Sequence, residues 1–163
     1  MTAKSEFLQI RVTPREKAML KRLARAAGMD VSAYVLSRAL PPARLRFAAI
    51  VARLSEDPDH RYVLAELNDF LTALAPAELR DAVANADLGK LSPFLRNYVA
   101  AMVEQASARK LVPPPSWAAG VEPLELPWFA APLKSLRPHL LRSSPVPFKR
   151  RNIFVDSSVG DRV

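Results

Sequence analysis

The sequence predicts a mainly α protein in three parts. These are a small strand–helix–helix head (residues 1–42), a helical region (43–112) and a proline-rich, largely extended carboxy-terminal segment (113–163). Three observations carry this expectation. Apolar residues recur at helical spacing from Leu20 to Ala106, the signature of amphipathic helices. Strict alternation occurs at residues 7–12, where Leu8, Ile10 and Val12 fall on one side and Phe7, Gln9 and Arg11 on the other, as in a half-buried strand. Nine of the fifteen prolines lie between Pro113 and Pro147, a density that forbids long helices and central strands there.

In the head, Thr13-Pro14-Arg15-Glu16 follows the strand. Threonine is a good N-cap, proline is pre-set for the first helical turn, and the glutamate stands where a capping box needs it. Leu20, Leu23, Ala24 and Ala27 then share one face, and Gly28 supplies a left-handed stop. Asp30 can cap a second helix, striped by Val31, Tyr34, Val35 and Leu40 and ended by Pro41-Pro42. One strand has no partner in its own chain, and a unit this small buries too little to stand alone. Both deficits vanish if two chains pair their strands antiparallel, with Leu8, Ile10, Val12, Leu20, Leu23 and Val35 as the dimer core. The other side then offers Phe7, Gln9 and Arg11 twice, on a two-stranded ribbon of the size that enters the DNA major groove.

The stretch FLQIRVTPREKAMLKRLARAAGMDVSAYVLSRAL resembles the ribbon-helix-helix family of dimeric DNA-binding proteins over residues 5–40. The resemblance implies that Phe7, Gln9 and Arg11 read bases. It also implies that Asp30, Val31 and Ser32 open a helix whose amino-terminal amides clamp a DNA phosphate, a natural task for a helix N-terminus.

Charge fits an anionic partner. The chain carries a net +8, distributed as +7 over residues 1–46, −4 over 47–107 and +5 over 108–163, which suggests three jobs rather than one. In the middle, Phe47, Ile50, Val51 and Leu54 form one stripe, and Val63, Leu67, Phe70, Leu71 and Leu74 a second. Leu79, Ala82, Val83 and Ala86 form a third, and Leu95, Val99, Met102, Val103 and Ala106 a fourth. Asp57-Pro58-Asp59-His60 has metal-ligand chemistry, but aspartate ahead of a helix is better explained as a cap. The tail loses periodicity yet keeps large anchors. Trp117, Trp128, Phe129, Phe148, Arg150, Arg151, Ile153 and Phe154 are the expected partner-binding set, laid across a separate protein more readily than across the chain's own helices.

Catalysis is not expected. With no cysteine, two histidines and four isolated glycines, the chain offers no disulfide, thiol nucleophile, cysteine zinc site or phosphate-cradling loop. Glu66 and Asp69, three apart, read as a solvated helix face. No cofactor is expected. The opening residues do not form a signal peptide, and no run of about 18 apolar residues exists, so a soluble, cytoplasmic protein without membrane association is expected.

A DNA-binding dimer joined to an anchor-rich region resembles the antitoxin of a bacterial type II toxin–antitoxin pair. Such a protein binds its own operator as a homodimer for autorepression and covers a toxin with its middle and tail. IRVTPREKAMLKRLARAAGMDVSAYV is also similar to the starts of plasmid mobilisation accessory proteins, in which the tail would serve a relaxase. A third reading is a stand-alone transcriptional repressor.

Overall fold

The computed structural model describes residues 9–39, 42–57, 59–131 and 133–157. The chain divides into two compact units, Met1–Leu40 and Pro41–Val163. The described residues are mainly helical, and no helix among them is long and apolar enough to cross a membrane.

In the first unit, α1 (Pro14–Ala26) begins with the capping box read from the sequence. The Glu16 carboxylate accepts from the Thr13 N–H at 2.7 Å and from its hydroxyl at 2.9 Å, while the Glu16 N–H donates to Thr13 Oγ1 at 3.3 Å. The Thr13 N–H, then its hydroxyl, hold the Glu16 carboxyl below the ordinary glutamate range. Gly28, at φ +66°, ends α1. Its N–H donates to the Arg25 carbonyl and the Met29 N–H to the Ala24 carbonyl, the paired bonds of a Schellman turn. The chain then reverses into α2 (Val31–Ala39). Between the helices, Ala24 and Tyr34 are buried, with the Arg38 guanidinium 5.5 Å from the tyrosine ring centre. Leu20 and Val35 are only half-buried and Leu23 is exposed.

Gln9–Val12 carry no regular structure, which revises the expected strand for the single chain. The physical reason is that a strand exists through its ladder, and a lone copy has nothing to pair with. Phe7 and Leu8 lie outside the described residues.

The second unit is built around α6 (Pro93–Arg109). Preceding it are α3 (Pro42–Glu56), α4 (His60–Ala73) and α5 (Pro76–Val83). The four stripes become one core, with Phe47, Ile50, Leu54, Val63, Leu67, Leu79, Val99 and Val103 essentially sealed from solvent. Asp59 caps α4, accepting the Arg61 N–H and both ends of its guanidinium, so the Arg61 side chain holds the Asp59 carboxyl below its ordinary range. Asp57 accepts the Asp59 N–H at 2.9 Å. These aspartates therefore organise the helix start. Ser92 caps α6 through the Leu95 N–H.

The proline-rich segment is not a third body. It belongs to the same compact unit as α3–α6, and it is more helical than expected. In chain order come the short helix α7 (Ser116–Ala119), β1 (Trp128–Phe129), the short helices α8 (Arg137–Ser143) and α9 (Val146–Lys149), and β2 (Ile153–Phe154). The strands pair in parallel, Trp128 with Ile153 and Phe129 with Phe154. Prolines open these helices at positions where no amide donor is needed, so their density divides the segment into short pieces without unfolding it.

Candidate nucleic-acid interface

The head presents a surface that its own chain leaves unfinished. Only Ala24 and Tyr34 are buried among its described residues. Ile10 is 59 % exposed and Val12 41 %, and Met19, Leu23, Met29 and Val31 also face solvent. Burying a large apolar side chain is worth roughly 1.5–3 kcal/mol, and this unit forgoes that gain at six positions. Ile10 and Val12 account for two of these six positions.

Gln9 and Arg11, the expected readers, are exposed. Of the expected dimer core, Ile10, Val12 and Leu23 are exposed and Leu20 and Val35 half-buried. Ser32 is exposed at the mouth of α2 beside Val31. Asp30 is seated there too, its carboxylate accepting the Ala33 N–H at 2.9 Å. The side chain thus caps the helix but keeps a negative charge where the family resemblance puts a phosphate. Asp30→Asn retains a capping oxygen and removes that charge. It is expected to tighten DNA binding by about 0.3–1 kcal/mol, up to roughly fivefold at low salt. Fluorescence anisotropy at two salt concentrations checks this, and unchanged or weaker binding counts against a phosphate at this helix end.

The expected partner-binding residues are mostly consumed by the chain itself. Phe148 and Ile153 are fully buried in the core and Phe154 nearly so. Trp117 donates its indole N–H to the Val83 carbonyl at 2.7 Å, capping the end of α5. Trp128 packs on Phe94 with ring centres 4.8 Å apart, Phe94 on Tyr98 at 5.6 Å, and Tyr98 edge-on to Phe148 at 5.3 Å. Phe129 stacks on Phe154 at 4.8 Å, with the Arg137 guanidinium over its face. Arg150 is exposed and Trp128 keeps 38 % of its surface in solvent. The tail therefore lies on the chain's own helices, which corrects the expectation of a segment held out for a partner. The apolar faces of α6 and α3–α5 need this cover, and the tail supplies it without the entropy of a second molecule.

Arg151 is the clearest reversal. It is 4 % exposed, and its Nη2 donates to Glu104 Oε1 at 2.8 Å and to the Ala118 carbonyl at 2.7 Å. Nη1 donates to the Val121 carbonyl at 3.1 Å and reaches Asn97 Oδ1 at 3.5 Å. Asn97 in turn donates to the Pro93 and Glu122 carbonyls. Sequence reasoning missed this network. Its signal was Asn97 and Glu104 placed seven apart on α6, hence on one face, close to the stripe of Leu95, Val99, Met102 and Val103.

Residues 2–75 match the model of the family described as NikA-like, Mobilization protein NikA. The matched stretch takes in α1, α2, α3 and α4. It supports a ribbon-helix-helix-like amino terminus and not the toxin–antitoxin placement. No curated protein and no solved structure matches the chain.

Proposed function

We propose that the chain is a DNA-binding accessory protein of a plasmid mobilisation system, acting as a cytoplasmic homodimer and by binding rather than catalysis. The observation that carries this reading is the NikA-like match over residues 2–75. The exposed Ile10 and Val12 beside a capped α1 supply its physical basis. Two copies pair residues 7–12 into an antiparallel ribbon, bury Leu8, Ile10 and Val12 beneath it, and lay Phe7, Gln9 and Arg11 in the major groove. The first amides of α2 fix the register on a phosphate. The match favours this role over autorepression coupled to a toxin, and the burial of Phe148, Arg151 and Ile153 removes most of the surface that a toxin was expected to hold.

The test is a gel shift of the full chain on duplex DNA from the transfer origin of the replicon that encodes it. Arg11→Ala is expected to weaken specific binding by about 1–3 kcal/mol, the range for one base-reading side chain, with circular dichroism unchanged. Undiminished retention of the origin fragment by this variant would remove the reading.

A further inference from the structure

The folded tail carries a second feature that the head does not explain. From Leu126 to Val155 there is no aspartate or glutamate, while Lys134, Arg137, Arg142, Lys149, Arg150 and Arg151 are all cationic. Arg151 is spent on Glu104 inside the core. The other five lie at the surface, four exposed and Lys149 half-buried, and among the described residues none of them forms an ion pair with a carboxylate. Two of them are held in place. The Lys149 ammonium donates to the Arg142 carbonyl at 2.8 Å, which draws the end of α8 to α9. Arg137 rests on the Phe129–Phe154 stack, 4.8 Å from the ring centre. Ordinary protein surface intersperses both signs of charge. Six cations and no carboxylate within thirty residues, on short, hydrogen-bonded elements, make a positive surface, bordered by the Asp156 carboxylate 3.5 Å from His139 of α8.

We infer that this surface of α8, α9 and the preceding turn is a second, sequence-independent contact for the phosphates of duplex DNA flanking the site that the head reads. The inference rests on the head's reading as a DNA binder. The two units are joined in one chain, so once the head is seated the tail meets neighbouring DNA at an effective concentration on the order of millimolar. Five cations suffice under that condition, because each neutralised phosphate releases condensed counterions.

The experiment is a salt titration of the full chain on a duplex of about 40 base pairs that carries the transfer-origin site with flanking sequence on both sides, a length holding about 80 phosphates. Arg142→Gln/Arg150→Gln is compared with wild type and with Arg80→Gln/Lys90→Gln, an equal reduction of charge elsewhere in the same unit. The tail double variant is expected to flatten the slope of log affinity against log salt by about 1.8 per chain, about 0.9 for each phosphate no longer neutralised. Its deficit against wild type should therefore shrink roughly tenfold between about 50 and 200 mM salt. The control pair should follow wild type. Equal slopes for all three proteins overturn the inference and leave an acidic protein surface as the occupant of the patch. A matching change in both double variants also overturns it, since net charge alone is then responsible. Neither result touches the Arg11→Ala gel shift, so failure here is distinct from failure of the head as a DNA reader.

Discussion

Ile10→Asp is expected to turn the proposed dimer into monomers and to abolish specific DNA binding in the same step. In the single chain Ile10 is 59 % exposed, so the substitution breaks nothing within one copy. The whole effect falls on association. Beneath a paired ribbon, each aspartate would sit among Leu8, Val12 and the helices of both copies. Burying an unpaired carboxylate costs several kcal/mol and occurs twice in a symmetric dimer. The apolar gain at Ile10, roughly 1.5–3 kcal/mol per copy, is lost as well. Light scattering should report the monomer mass, and circular dichroism should retain the helicity of the second unit, whose core contains no residue of the head. Ile10→Val removes one methylene and should keep the dimer, at about 0.5–1.5 kcal/mol per copy. A dimer that survives Ile10→Asp would show that the ribbon is not what joins two chains.

The second large effect is expected at Arg151. Arg151→Ala leaves the Glu104 carboxylate without its cation and strips a donor from each of the Ala118 and Val121 carbonyls. Removing one member of a buried ion pair typically costs about 3–5 kcal/mol. The melting temperature of the second unit should fall by about 10 °C or more. Pairing Arg151→Ala with Glu104→Gln should recover part of that deficit, since no uncompensated carboxylate then remains. DNA contacts made through Gln9 and Arg11 should persist at low temperature. An Arg151→Ala protein that melts like wild type, but fails to hold a protein partner, would restore the sequence-based expectation of a docking residue.

Local signals were legible wherever the relevant chemistry is local. Thr13, Glu16 and Gly28 specify the two ends of α1 through their own hydrogen bonds and φ angle, and each does so in the structure. The core stripes were equally readable, because a period of about 3.6 residues selects one face whatever lies opposite. What lies opposite is not encoded locally. Phe148 and Ile153 are large and apolar, which states that they must be covered but not by whom, and the prolines around them hid the short helices that bring them home. Arg151 misled for a related reason. A lone arginine in a basic triplet is usually solvated, and only the fold brings Glu104, forty-seven positions earlier, to its side. At the candidate interface the alternation of residues 7–12 predicted a strand, and Gln9–Val12 carry no regular structure in the single chain; a ladder completed by another molecule belongs to the proposed function.

The closing of the tail on α6 sets an order of events during biosynthesis. Phe148, Ile153 and Val155 are core residues, and they leave the ribosome after all of α3–α6. The second unit therefore cannot reach its final packing until residue 155 has emerged, and helices α3–α6 must wait until then with an open apolar seam. If two copies pair as proposed, the head waits on a different clock, because its second half arrives by diffusion and depends on how many sister molecules are nearby. A stop codon before residue 148 would therefore release a chain whose second unit stays unsealed.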